Sequence, residues 1–252
     1  SIEGAYRFVE NQHIDHNEIS LAGFKATAEE VKRRRLVLAI EDTTSLSYRH
    51  SICSELGNNP SSASATCKGR SLFLHSILVV DADAETVVGL GHQQNYIRKE
   101  KLKLMGLELA QRPKEERESY RWEESSNKLD EHFGHTDNVI HVCDREADAY
   151  EYIDQHIDNN RRFIVRSATD RKLAFPKCRL HELSEKTVMA KHFVKIEQKG
   201  SGLVIKSEKQ KERGKKLTEK EKKRATTTNR PERLAEVGIS YHEVRLTNLK
   251  TG

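Results

Sequence analysis

The chain has 252 residues, 35% of them hydrophobic and 33% charged, with a net charge of +5. That length fits one large domain, or a core with a smaller module. No apolar run approaches the roughly 20 residues of a membrane helix, which argues against a helical membrane protein.

No signal peptide is read at the N-terminus, and the first residue is Ser rather than Met, so a missing or processed start is expected. Four cysteines, Cys53, Cys67, Cys143 and Cys178, form no CxxC pair. Zinc and a disulfide framework are therefore not expected; reduced thiols and a cytoplasmic setting are. The charge is uneven. Lys195 to Arg233 holds 14 Lys and Arg against 6 Glu, a net of +8, which leaves −3 for the rest. A basic block on a near-neutral body predicts a polyanion partner. The plain alternative is a solvated charge run, since Glu interrupts it repeatedly.

In chain order, residues 1–34 read as helical, with Ala5, Phe8 and Val9 and then Ile19, Ala22 and Val31 at packing positions. Thr27 and Glu30 have capping-box spacing, predicting a helix start toward Arg34. Leu36–Ile40 reads as a buried strand, residues 54–70 as a polar loop, and Leu72–Val80 as a second strand. Asp81-Ala82-Asp83 supplies a turn, and Thr86–Tyr96 returns as a hairpin partner. Trp122, Ser125, Leu129 and Phe133 predict a helix that Gly134 ends. Asn138–Cys143 is a further strand, Glu146–Asp158 a helix, and Arg162–Ser167 another strand. The segments His192–Glu197, Leu203–Lys206 and Ile239–Thr247 read as exposed strands. The order strand, hairpin, helix, strand, helix, strand predicts an α/β fold with a mixed sheet, one half antiparallel and the other parallel.

Two stretches carry the chemistry. Asp42 follows the apolar run Leu36–Ile40, within Ala39-Ile40-Glu41-Asp42-Thr43-Thr44-Ser45-Leu46-Ser47-Tyr48. Asp144 follows Val139–Cys143, within Cys143-Asp144-Arg145-Glu146-Ala147-Asp148. If the two strands are neighbours, both carboxylates emerge side by side. They then repel unless a cation lies between them. Hard divalent ions suit such an oxygen-only site and serve phosphodiester chemistry. Capping is the simpler role for either aspartate, and Glu146 and Asp148 read as helix-start charges. Arg145 is a candidate phosphate contact or a surface ion pair. His75 and His92 fit alternating strand positions without a metal, and Trp122 and Phe133 read as core. Ser45 and Ser47 near His50 lack a Gly-x-Ser-x-Gly elbow, so a serine hydrolase is not supported.

These motifs resemble those of the bacterial cut-and-paste transposases of the insertion-sequence-four type. The resemblance is carried by Glu3-Gly4-Ala5-Tyr6-Arg7-Phe8, the Asp42 stretch, Leu74-His75-Ser76-Ile77-Leu78, the Asp144 stretch and Phe163-Ile164-Val165-Arg166-Ser167. It implies a ribonuclease H-like core over 35–175, a helical lead-in over 1–34 and a partial β-rich basic insertion over 176–252. It also implies DNA end cleavage and strand transfer by an Asp-Asp-Glu triad with two Mg²⁺ or Mn²⁺ ions. Asp42 and Asp144 match the first two members. In that chemistry one ion activates the nucleophile and the other stabilises the leaving oxygen, about 3.5–4 Å apart. The family's third carboxylate, within a Tyr…Arg…Glu…Lys signature, has no match. Tyr241-His242-Glu243 lacks its spacing. The chain is accordingly expected to be a fragment, inactive alone, with weak or single-ion metal binding. The expected partner is double-stranded DNA at transposon ends, with a homodimer or pairing with full-length transposase possible. Arg7, Arg49, Lys68, Arg70, Arg145, Lys215 and Lys216 are the candidate DNA contacts. The competing expectations are a non-catalytic DNA-binding or inhibitory remnant, and a ribonuclease H-like nuclease unrelated to transposition.

Overall fold

The computed structural model describes residues 1–48, 51–60, 62, 67–98, 113–134, 136–183, 189–196 and 233–246. Arg49, His50, Lys215 and Lys216 lie outside the described residues, as does the expected strand Leu203–Lys206. The chain divides into two compact units, 1–169 and 170–252.

The first unit opens with helix α1 (Ile2–Glu10), capped by the Ser1 hydroxyl and without a buried residue. Helix α2 (His16–Val31) is capped by Asp15, whose carboxylate accepts from the Asn17 N–H at 2.7 Å. Phe24, Thr27, Ala28 and Val31 form its buried face, the three- and four-residue spacing of a helix lying on a core. The expected capping box is corrected here. Thr27 lies inside α2, and its hydroxyl donates back to the Gly23 carbonyl at 3.1 Å.

Strand β1 (Val37–Leu46) is central. Beyond the two-residue β2 (Gly57–Asn58) come β3 (Arg70–Asp81) and β4 (Thr86–Tyr96), joined by a turn in which Asp81 accepts from the Asp83 and Ala84 N–H groups. Helix α3 (Tyr120–Phe133) stops at Gly134, whose φ of +73° suits a residue without a Cβ. Strand β5 (Val139–Cys143), a single turn of 3₁₀ helix (Arg145–Ala147), helix α4 (Tyr150–Asp158) and strand β6 (Arg162–Val165) complete the unit. The helix expected over Glu146–Asp158 is thus two pieces, separated by extended backbone at Ala149.

The sheet order is β2-β3-β1-β5-β6, with β4 also paired to β3. Strand β3 is antiparallel to β1, β2 and β4; β1, β5 and β6 are mutually parallel. The protein is therefore α/β with a mixed sheet flanked by helices. Alternation along the strands sorts the side chains. Val37, Ala39, Ile77, Val79 and Val139 face Ala28 and Val31 of α2 and Leu129 and Phe133 of α3 in one cluster. Cys143 faces Trp122 of α3 and Tyr152 of α4 in a second. Gly91 lets α3 close on β4, since a Cβ there would lie 2.4 Å from Leu129 Cδ1. These three helices thus meet one face of the sheet. Ile40 and Ile164, pointing the other way, are 36% and 56% exposed.

The second unit pairs β7 (Leu173–Phe175) with β10 (Arg245–Leu246), adds a one-turn helix α5 (Leu180–Leu183), and pairs β8 (Ala190–Ile196) with β9 (Arg233–Ile239). The exposed strand expected over Ile239–Thr247 is corrected: β9 ends at Ile239, and among the described residues beyond it only Arg245–Leu246 is strand. Every residue of β8 is exposed.

The cysteine expectation is corrected as well. Cys53 and Cys67 are joined in a disulfide. Asn59 N–H donates to the Gly69 carbonyl at 2.6 Å and Arg70 Nη1 donates to the Cys53 and Leu56 carbonyls. This folds the loop so that the two Cα atoms lie 5.1 Å apart, within bridging reach despite the absence of CxxC spacing. Cys143 and Cys178 are free thiols.

Candidate functional site

Glu41 of β1 stands opposite Cys143 of β5, the last pair of that parallel ladder. Asp42 is the next residue of β1, and Asp144 is the first residue past β5. Glu41 and Cys143 are buried toward the helices, and the backbone at Asp144 is still extended (φ −80°, ψ −172°). By alternation both aspartates therefore project from the opposite face, and both are exposed. The sequence predicted that β1 ends near Glu41. It instead continues to Leu46 against β3, with Asp42 opposite Ser76. What ends at Glu41 is the pairing with β5, so the aspartates sit where two parallel strands part. Asp144 also caps: its Oδ1 accepts from the Glu146 N–H at 2.7 Å. Beside Asp42, the Ser76 hydroxyl accepts from Gln93 Nε2 at 2.9 Å.

Beneath the aspartates lies a buried polar layer that the sequence reading passed over. Glu41, 1% exposed, has Oε1 2.8 Å from His75 Nε2 and Oε2 3.8 Å from Cys143 Sγ, and the Ser126 hydroxyl bonds to it as well. His75 Nδ1 is 2.6 Å from Thr43 Oγ1, and the Cys143 thiol is 3.0 Å from the Tyr152 hydroxyl. Burial pushes the Glu41 carboxyl well above the usual carboxylate range and His75 down to about 3. Burial thus disfavours the charged form of both partners, and the Glu41–His75–Thr43 contacts form one continuous hydrogen-bonded chain. Burial likewise raises the Cys143 thiol and the Tyr152 phenol. A little further along β5, His141 and His156 meet edge to face at 4.9 Å, held by burial at about 3 and about 4. His156 Nδ1–H donates to the Tyr152 carbonyl at 2.9 Å. The signal that could have found this layer was the strict alternation of β1, which puts Glu41 in phase with Val37 and Ala39.

The other candidates distribute as follows. Arg145, next to Asp144, is exposed. Asp148 accepts from the Ala168 N–H at 2.6 Å and from the Ser167 hydroxyl, tying the turn after β5 to the end of β6. Lys68 is exposed, and the Arg70 guanidinium is engaged by loop carbonyls. Arg70 lies six residues along β3 from Ser76, roughly 20 Å from the level of Asp42. Arg7 is ion-paired with Glu3 on α1. Trp122 and Phe133 are core, at 3% and 6% exposed.

A pair of carboxylates suits a hard cation, and Mg²⁺ commonly takes only one or two protein carboxylates, with water and substrate oxygens completing its shell. Among the described residues no group of three or more His, Cys, Asp and Glu is placed to hold a metal. Among the described residues, too, no helix is long and apolar enough to cross a membrane. No family model matches the chain.

Proposed function

We propose that this chain is the catalytic core of a DNA-cleaving and strand-transferring enzyme of the transposase kind, on a ribonuclease H-like sheet, with Asp42 and Asp144 as a two-carboxylate seat for Mg²⁺ or Mn²⁺. The observation that carries this reading is the parallel register Glu41↔Cys143, from which the two aspartates follow as neighbours on the face opposite α2, α3 and α4. Bound there, the ion would supply charge neutralisation and activation of an oxygen nucleophile in phosphodiester chemistry. Asp42 would be the fixed ligand, held within paired strand. Asp144 would offer Oδ2, its Oδ1 being engaged by the Glu146 N–H. Arg145 would meet a phosphate oxygen beside them. With two carboxylates, binding is weak and the chain alone cleaves poorly.

Manganese binding by electron paramagnetic resonance tests this. The expected result is weak binding that Asp42→Asn and Asp144→Asn each abolish, with little nicking of supercoiled DNA. Mn²⁺ binding untouched by both substitutions sinks the assignment. Strong Mg²⁺-dependent nicking that Asp42→Ala abolishes would instead make the chain a competent nuclease by itself. A second reading, a DNA-binding partner that does no chemistry, is favoured by the net +8 between Lys195 and Arg233. It predicts salt-dependent duplex binding that is indifferent to metal and to both aspartates.

A further inference from the structure

Glu41 is an expensive residue to bury. A carboxyl taken out of water without partners costs several kcal/mol, and an apolar side chain would fill the same space in a core. Here its two oxygens reach in opposite directions across the sheet. One meets His75 on β3 at 2.8 Å, the other Cys143 on β5 at 3.8 Å. Its own strand lies between. His75 returns to β1 through Thr43 at 2.6 Å, so Asp42 is flanked on both sides by residues of the same network. Cys143 immediately precedes Asp144, and its sulfur is fixed by Tyr152 of α4 at 3.0 Å. Each aspartate thus follows directly on a member of one buried chain of contacts.

We propose that Glu41 is a positioning residue: a brace across β3, β1 and β5 that fixes the distance between the Asp42 and Asp144 side chains. This rests on the reading of that pair as a ligand site, since only there does the distance matter to chemistry. The brace acts at the last pair of the β1–β5 ladder, just before the strands part at the two aspartates. Loss of such supporting contacts costs ligand sites about 10–100-fold in metal affinity.

Cross-linking tests the distance without metal. The full chain with Asp42→Cys, Asp144→Cys and Cys178→Ser is oxidised by glutathione disulfide, and the rate of bond formation between the two new thiols is followed by mass mapping. The bond forms readily in this parent and in its Glu41→Gln derivative, whose amide still donates toward His75 and accepts from Cys143. It forms several-fold more slowly with Glu41→Met, because the two positions then meet less often at bonding distance. Leu129→Ala weakens the core away from the network and leaves the rate unchanged. A Glu41→Met rate equal to the parent overturns the brace, as does equal slowing by Leu129→Ala. If Glu41→Met does not fold, Cys143→Ala removes only the arm to β5, and an unchanged rate there overturns the brace as well. Mn²⁺ affinity of the otherwise native chain is read separately. Failure to bind Mn²⁺ with the cross-linking pattern intact removes the metal reading and leaves the brace. Failure of the parent to cross-link removes both.

Discussion

Acid should unfold this protein earlier than its surface charges alone would, and the buried imidazoles set the size of the effect. His75, His141 and His156 sit at about 3, about 3 and about 4 in the folded chain, because burial disfavours their charged form. In the unfolded chain each titrates near 6.5. A depressed folded value stabilises above the unfolded value, and that stability is lost as pH falls toward the folded one. Glu41 works the other way. Its raised folded value stabilises below about 4.5 and is lost as pH rises, which opposes the histidine trend. Each imidazole held at about 3 or 4 takes up about one proton on unfolding between pH 6 and 5, a slope of about 1.2 kcal/mol per pH unit apiece. Against a typical total of 5–15 kcal/mol, one pH unit is decisive. Urea unfolding at pH 7, 6, 5.5 and 5, followed by far-ultraviolet circular dichroism, measures the slope. His141→Asn removes one titrating ring and should lower the slope by about 1.2 kcal/mol per pH unit. A stability that stays flat or rises from pH 7 to 5, or a His141→Asn slope equal to the native one, would refute the neutral buried layer.

Other outcomes follow from packing. Gly91→Ala sets a methyl 2.4 Å from Leu129 Cδ1 and 3.1 Å from Val79 Cγ2, and should cost about 1–3 kcal/mol in urea unfolding through overpacking of α3 on β4. Leu129→Ala, at a site 1% exposed, should cost about 2–5 kcal/mol in the same assay. Reducing the Cys53–Cys67 bridge, 14 residues apart, should remove about 3 kcal/mol, read as a lower melting temperature in dithiothreitol. Gly57→Ala meets the Arg98 backbone at 2.4 and 2.6 Å and should release β2, read as faster amide exchange at Asn58, which donates to the Arg98 carbonyl.

The strands were legible because their apolar runs and turn residues agree: Leu72–Val80, the Asp81 turn and Thr86–Tyr96 became β3 and β4 nearly as read. Asp144 was legible as a strand-end polar residue, whereas Asp42 lies inside β1, which runs on to Leu46; their neighbouring register follows from the strand order. Glu41, His75 and His141 were not, because polar letters in a strand suggest its wet face until their phase is compared with Val37, Ile77 and Val139. Thr27 misled for a related reason. A hydroxyl three residues before Glu suits a helix start, yet here Asp15 had begun the helix well upstream and the hydroxyl bonds back to Gly23. The Cys53–Cys67 pair escaped because loop closure, not local spacing, brings the two together.

The mixed sheet also dictates an order of assembly. Strands β1, β3 and β4 lie close in sequence and pair as a local antiparallel meander, whereas β1 meets β5 across a separation of 102 residues. Closing so long a loop costs entropy before any contact repays it, which makes that parallel seam a late event. A nascent or nicked chain can hold its meander and helix α2 while Asp42 still lacks its companion. The acidic pair comes into being only when the sheet is finished, so a half-folded molecule carries no such pair.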